Sequence, residues 1–247
     1  MHYIVFDLEF NQDFSSLQDI DRRKYQYLFE IIQVGAIKLD FELNTIDTFN
    51  QYIKPSIYTK INPFITELTG ITTEQLLTEK SFIEVYKNYI EFINDTDSIF
   101  CIWGMSDIKE LYKNAEYHQL NNKLLPKMFI NLQPHVSINL GIRTKKLLRL
   151  QNAVEMLNIP TTYKFHDALC DAFYTAEILK KIYNSSIQPK LYDPSYVAIK
   201  PRQQKRVIDF DKLILQFKKM YARKITQEEQ DMIKLAYKMG KTNQFLK

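Results

Sequence analysis

The chain is predicted to fold as a mixed α/β layer, and three observations carry that reading. A strand-rich N-terminal region holds a hairpin-length connection, two later apolar runs have the length of buried strands, and helical periodicity fills the gaps between them. Tyr3–Phe10 is apolar and extended. Ile31–Leu39 and Thr45–Ile53 are rich in β-branched and aromatic residues and are joined across Asp40-Phe41-Glu42-Leu43-Asn44. That spacing suits a hairpin loop, and Pro55 ends the third strand. Ser98–Trp103 (SIFCIW) is a continuous apolar run of the kind found in a buried parallel strand, and Met128–Leu132 is a fifth candidate. Phe82, Val85, Tyr86, Tyr89, Ile90 and Ile93 recur at three- and four-residue intervals, which places them on one helical face. Leu147, Leu150, Val154 and Leu157 repeat the pattern until Pro160, and Ala172, Thr175, Ala176 and Leu179 form a third stripe.

Composition narrows the class. In 247 residues, 45% hydrophobic and 25% charged side chains describe an ordinary globular protein with a sizeable core. No apolar stretch approaches the ~20 residues of a membrane-spanning helix. The first residues, Met1-His2-Tyr3-Ile4-Val5, lack the basic-then-apolar layout of a secretory signal. Cys101 and Cys170 are the only cysteines, too few for a disulfide framework, so a cytoplasmic protein is expected.

Charge is unevenly spread. Lys200–Lys247 carries 13 Lys and Arg against 5 Asp and Glu, a net of +8, which leaves −4 on the other 199 residues. A basic tail on a slightly acidic body fits attraction to nucleic acid, and it equally fits a solvated helical face. The expected division is a body over residues 1–184 and a linker plus basic helical extension over residues 185–247. In the extension, Phe210, Leu213, Ile214, Phe217 and Tyr221 form one stripe. Thr226 followed by Glu229 is a capping-box signal for a second helix, and Gly240 suits its end.

Three short segments hold the chemistry-bearing side chains. In Ile4-Val5-Phe6-Asp7-Leu8-Glu9-Phe10, strand alternation sends Asp7 and Glu9 to one face and Phe6, Leu8 and Phe10 to the other. Two such acids are either solvated at a sheet surface or matched to a hard divalent cation such as Mg²⁺ or Mn²⁺. Asp107 follows Trp103-Gly104-Met105-Ser106 at the end of the fourth strand, where an open sheet exposes its ligand crevice. An acid there can also simply face a helix dipole, with Ser106 as the cap. In His166-Asp167-Ala168-Leu169-Cys170-Asp171, a helix entered near His166 brings Asp171 round about one and a half turns later. Asp167 is either a cap or a supporting acid.

Asp7-x-Glu9, Asp107 and His166-x-Ala168-x-x-Asp171 together resemble, in order and spacing, the DEDDh group of 3′-to-5′ exonucleases. The connecting stretches Glu30-Ile31-Ile32-Gln33-Val34-Gly35-Ala36, Phe49-x-x-Tyr52-Ile53-Lys54-Pro55, Leu68-Thr69-Gly70-Ile71-Thr72 and Trp103-Gly104 are similar too. The combination looks most like the branch of the sporulation inhibitor KapD and the histone-mRNA 3′-end exonucleases, over roughly residues 1–183. The resemblance implies an RNase H-like fold, with a mixed five-stranded sheet flanked by helices. It implies Asp7, Glu9, Asp107 and Asp171 as ligands of two Mg²⁺ or Mn²⁺ ions, and His166 as the general base. The implied substrate is the 3′ end of a single strand, with RNA or short oligonucleotides favoured, released as nucleoside 5′-monophosphates. Phe10, Leu68 and Trp103 are the candidate contacts to the terminal nucleotides, and Phe10 alternates with Phe6 and Leu8 as a core residue would. A DNA-directed proofreading or repair nuclease and a non-catalytic nucleic-acid-binding module stand as the alternatives.

Overall fold

In a computed structural model, the structure describes residues 2–13, 29–94, 97–142, 147–194 and 209–241. Two compact units divide the chain, Met1–Tyr196 and Val197–Lys247.

The first unit is built on one sheet. Its strands are β1 (Tyr3–Asn11), β2 (Glu30–Leu39), β3 (Thr45–Tyr52), β4 (Ile99–Ile102), β5 (Met128–Asn131) and β6 (Lys190–Leu191), in the spatial order β3-β2-β1-β4-β5-β6. β1 pairs antiparallel with β2 and parallel with β4, so the first strand in sequence lies inside the sheet. The five expected strands form, and a sixth of two residues pairs antiparallel with β5 at the edge. Lys190 and Leu191 are both exposed and show no alternation, so nothing in their sequence announces a strand.

The helices are α1 (Pro63–Thr69), α2 (Thr73–Leu76), α3 (Phe82–Ile93), α4 (Ser106–Tyr117), α5 (Leu132–Asn139), α6 (Leu150–Met156) and α7 (Ala168–Ile182). Ile4, Phe6 and Leu8 of β1 point into one apolar layer with Phe82, Val85 and Tyr89 of α3 and Ile108 and Leu111 of α4. Tyr3 and Val5 point into the opposite layer with Val136 of α5, Val154 of α6 and Ala172, Ala176 and Leu179 of α7. The period of two in β1 therefore separates two cores across one sheet. Fully burying one such Phe, Leu or Ile side chain contributes about 1.5–3 kcal/mol.

Caps decide where several helices begin. Ser81 and Glu84 form a reciprocal capping box on α3. α1 starts at Pro63 behind Asn62, whose side chain accepts from the Phe64 amide, and it buries none of its residues. Ser106 does not cap α4 as expected: it is the first helical residue, and Met105 occupies the cap position without a side-chain hydrogen bond.

The second unit contains α8 (Phe210–Tyr221) and α9 (Gln227–Lys241). Ile214 and Ile225 are buried, and the Phe210 ring meets Tyr237 edge-on at 5.6 Å. Thr226 and Glu229 exchange the expected capping-box bonds, and Gly240 lies one residue before the end of α9. Lys200, Arg202, Lys205 and Arg206, at the start of the basic tail, lie outside the described residues. Among the described residues, no helix is long and apolar enough to cross a membrane.

Candidate active site

Asp7 and Glu9 share the β1 face that carries Val5, the side on which α7 lies. Strand register gives each a defined neighbour on β2: Asp7 stands opposite Gly35, and Glu9 opposite Gln33. Both neighbours serve the start of α7. A Cβ on Gly35 would come within 2.1 Å of the Leu169 nitrogen and 2.2 Å of the Ala168 carbonyl carbon, so only glycine lets the helix end approach the strand. The wholly buried Gln33 accepts a hydrogen bond from the Ala168 amide at 3.2 Å and donates to Asp167 Oδ2 at 2.9 Å. The other Asp167 oxygen caps α7 by accepting from the Cys170 amide at 3.0 Å. Asp167 is thus the helix cap, one of the two possibilities its position allowed.

This clamp fixes the two remaining groups on that side. His166 immediately precedes the cap with φ +65°, a left-handed conformation that few non-glycine residues adopt. Its amide donates to Asp171 Oδ2 at 3.2 Å. Asp171, in the first turn of α7, is buried, and its Oδ1 has no hydrogen-bond partner. Glu9, His166 and Asp171 each present one ligand atom, all within 4.8 Å of one another.

Asp107 arrives from the opposite flank. Gly104 has φ +90°, which turns the chain sharply after β4, and its amide donates to Asn131 Oδ1 at 3.0 Å. α4 then begins with Asp107 buried in its first turn.

Four acids held this way oppose their own ionisation. Burial pushes the Asp7 carboxyl well above the usual range, and Asp107, Asp171 and Glu9 push it further. Burial, then Asp171, Asp107 and Asp167, raise Glu9 to about 8. Asp107 rises to about 7 through burial and the charges of Asp171 and Glu110, against a bond from its own amide. Asp171 rises to about 6, chiefly through burial and against the His166 amide bond. A hard divalent cation answers each of these features, because it exchanges for the retained protons and completes the unpartnered Asp171 oxygen. The donor set therefore fits such an ion. His166 is held below its ordinary pKa by partial burial and then by Lys164, so it is largely neutral at pH 7.

The candidate substrate contacts are more dispersed. Phe10 is half-buried, packs against the α3–α4 core and meets the Phe29 ring at 6.1 Å. Leu68 is half-buried in α1, just before Gly70 ends that helix with φ +83°. Trp103 packs against the opposite core, with a buried indole Nε1 that has no hydrogen-bond partner. Sequence reasoning missed Gln33 and the close approach at Gly35, whose partners lie more than 130 residues away.

A mixed sheet with two acids on an internal strand and one in the first turn of each of two flanking helices defines an RNase H-like exonuclease fold. The chain belongs to the exonuclease (RNase_T) family, whose model matches residues 4–179. It is 30% identical over 118 residues to 3′-5′ exoribonuclease 1 of Rattus norvegicus, covering 44% of this chain and 34% of that protein. It is also 30% identical over 187 residues to the PolC-type DNA polymerase III of Thermotoga maritima, covering 70% of this chain and 13% of the polymerase. The chain thus spans about a third or less of the length of these relatives. Its fold is similar to the nuclease domain of 3′hExo, a DEDDh family member, bound to rAMP. That comparison gives a TM-score of 0.64 at 21% identity over 78% of this chain and 96% of that one. E. coli Exonuclease I in complex with a dA16 oligonucleotide gives 0.57 at 17% identity, over 73% and 40%.

Two consequences of the site can be measured. The folded, cation-free protein keeps protons on Asp171, Asp107 and Glu9 up to about pH 6, 7 and 8, whereas the unfolded chain releases them near pH 4. Stability contributed by these groups is therefore complete below about pH 4 and is lost as pH rises through those values. In chelator, the melting temperature should fall between about pH 5 and 8, each retained proton weakening stability by about 1.4 kcal/mol per pH unit. Saturating Mg²⁺ should restore progressively more of it over the same window. A melting temperature that climbs with pH in chelator would contradict this account. The second consequence concerns Gly35→Ala, where the backbone of α7 must shift. Overpacking there should cost about 1–3 kcal/mol, and a displacement near 1 Å should lower turnover on the order of 10²-fold. Thermal melts and single-turnover rates that match the wild type would refute it.

Proposed function

We propose that this chain is a metal-dependent 3′-to-5′ exonuclease that shortens single-stranded nucleic acid, RNA or short oligonucleotides foremost, to nucleoside 5′-monophosphates. The observation that carries the reading is the meeting of Glu9, Asp171 and His166 within 4.8 Å, with Asp7 and Asp107 close enough to repel those acids. Asp7, Glu9, Asp107 and Asp171 would hold two Mg²⁺ or Mn²⁺ ions, which when bound would neutralise the phosphate and lower the pKa of water. Neutral His166 takes one proton from the attacking water. The new P–O bond forms as the bond from phosphorus to the 3′ oxygen breaks. The leaving oxygen takes a proton from solvent and becomes the next 3′ hydroxyl. Phe10, Leu68 and Trp103 are the side chains proposed to meet the terminal nucleotides.

Similarity to an exoribonuclease supports RNA as the polymer, while the longer match to a PolC-type DNA polymerase favours a DNA-directed nuclease as the second reading. Incubation with 5′-labelled single-stranded RNA and DNA, with Mg²⁺ or Mn²⁺ and with chelator, decides both. The expected result is a ladder of products shortened from the 3′ end, faster on RNA and absent in chelator. Internal cuts or chelator-resistant shortening overturn the mechanism, and binding without cleavage would make the chain a non-catalytic module.

The extension is proposed to hold the strand upstream of its 3′ end. Lys218, Lys219 and Lys224 are exposed, with Tyr221 exposed among them, whereas Arg223 is paired with Glu229. Single strands lose affinity with salt at a log–log slope of about −0.7 per phosphate contact. Removing residues 200–247 should therefore flatten the salt dependence of binding by about two or more such contacts. An unchanged slope in a folded truncation would leave the extension a structural appendage.

A further inference from the structure

The segment that delivers His166 is held by a side chain that the reaction does not use. Tyr174 lies in α7, three residues beyond Asp171, and is wholly buried. Its hydroxyl accepts a hydrogen bond from the Tyr163 amide at 2.7 Å and donates one to the Tyr163 carbonyl, also at 2.7 Å. Both backbone groups of one loop residue are thus clasped by one hydroxyl. The Phe165 ring stacks on Tyr174 with centroids 4.7 Å apart and 25° between planes. The very next residue is His166, at φ +65°.

A left-handed non-glycine residue carries a conformational cost and persists where its surroundings over-determine it. On the far side of His166, Gln33 and Asp167 fix the start of α7. On the near side, among the described residues, Tyr174 engages both backbone polar groups of Tyr163, whose half-exposed ring meets Phe173 of the same helix edge-on at 5.1 Å. We propose that Tyr174 is a positioning residue for His166, its hydroxyl clasp on Tyr163 and its stack under Phe165 setting the imidazole against Glu9 and Asp171. This rests on the reading of His166 as the proton acceptor. It adds that the acceptor's geometry is set from within the same helix that supplies Asp171, so both groups move as one body.

Tyr174→Phe keeps the ring and the stack and removes only the clasp. Its kcat should fall roughly 10–100-fold, the penalty of a misplacement of about an ångström, with KM and Mg²⁺ affinity within about twofold of wild type. Amide exchange at 163–166 should speed up while the amides of α7 stay protected. In a His166→Asn background, where asparagine tolerates the left-handed backbone, the same change should have no further effect on kcat. Phe165→Leu, which leaves the hydroxyl in place, should show a smaller loss with the same dependence on His166, and it serves if Tyr174→Phe melts early. An unaltered kcat in Tyr174→Phe, or an equal loss with and without His166, overturns the proposal. A His166→Asn enzyme as fast as wild type would instead sink the proton-acceptor reading and leave the exchange data to judge the clasp.

Discussion

Asp7→Asn should eliminate metal-dependent cleavage and, in chelator near pH 8, raise the melting temperature. The substitution preserves volume and removes the acid whose ionisation is opposed by burial and by Asp107, Asp171 and Glu9. Without a cation, ionising that carboxyl is opposed by burial and by its neighbours, so its removal relieves the folded state. With a cation, the same carboxyl would be a ligand, and its loss would forfeit several kcal/mol of transition-state stabilisation, about 10³-fold or more in rate. Opposite signs for stability and activity separate this outcome from misfolding, which lowers both. Calorimetric melts in chelator beside the labelled-strand assay suffice, and a variant that is less stable as well as inactive would contradict the electrostatic account.

His166→Ala should lower turnover by about 10²–10⁴-fold, the usual worth of a positioned general base, while the protein keeps its affinity for Mg²⁺ or Mn²⁺ within a few-fold. Neutrality at pH 7 follows from its depressed pKa, and its amide rather than its ring engages Asp171. Spacing alone would also let the ring ligate a cation beside Glu9 and Asp171. The two roles diverge on titration calorimetry: a ligand takes affinity with it when removed, a base does not. His166→Asn controls for the backbone, since alanine at φ +65° adds strain that asparagine tolerates better. A loss of affinity that parallels the loss of rate would reassign His166 as a ligand.

Local periodicity made part of this molecule legible and left part of it silent. Asp7 and Glu9 could be placed on one face because a strand repeats every two residues, and the layers bear out that alternation. The α3 and α7 stripes were equally readable, since each buries a broad face. α1 left no stripe because none of its residues is buried; a cap and a proline define its start. α5 follows β5 without an intervening loop, and Asn131 at their junction serves both the Gly104 amide and the Gln133 amide. Gln33 reads as an ordinary polar residue in an apolar strand, and only the fold reveals Asp167 as its partner. Asp107 had little support in its own segment, and the positive φ of Gly104 explains how a short loop brings it inward.

The pairing of Asp7 with Gly35 and of Glu9 with Gln33 ties the placement of the candidate site acids to strand alignment. Sliding β1 by one residue against a fixed β2 would turn both acids into the aromatic layer of Phe82 and Tyr89, away from the end of α7. Such a slip would bury two carboxyl groups among apolar rings, so the misaligned sheet would be unstable. A single-residue insertion inside either strand breaks that alignment. The proposed cleavage would thereby depend on a sheet that has already found its native register.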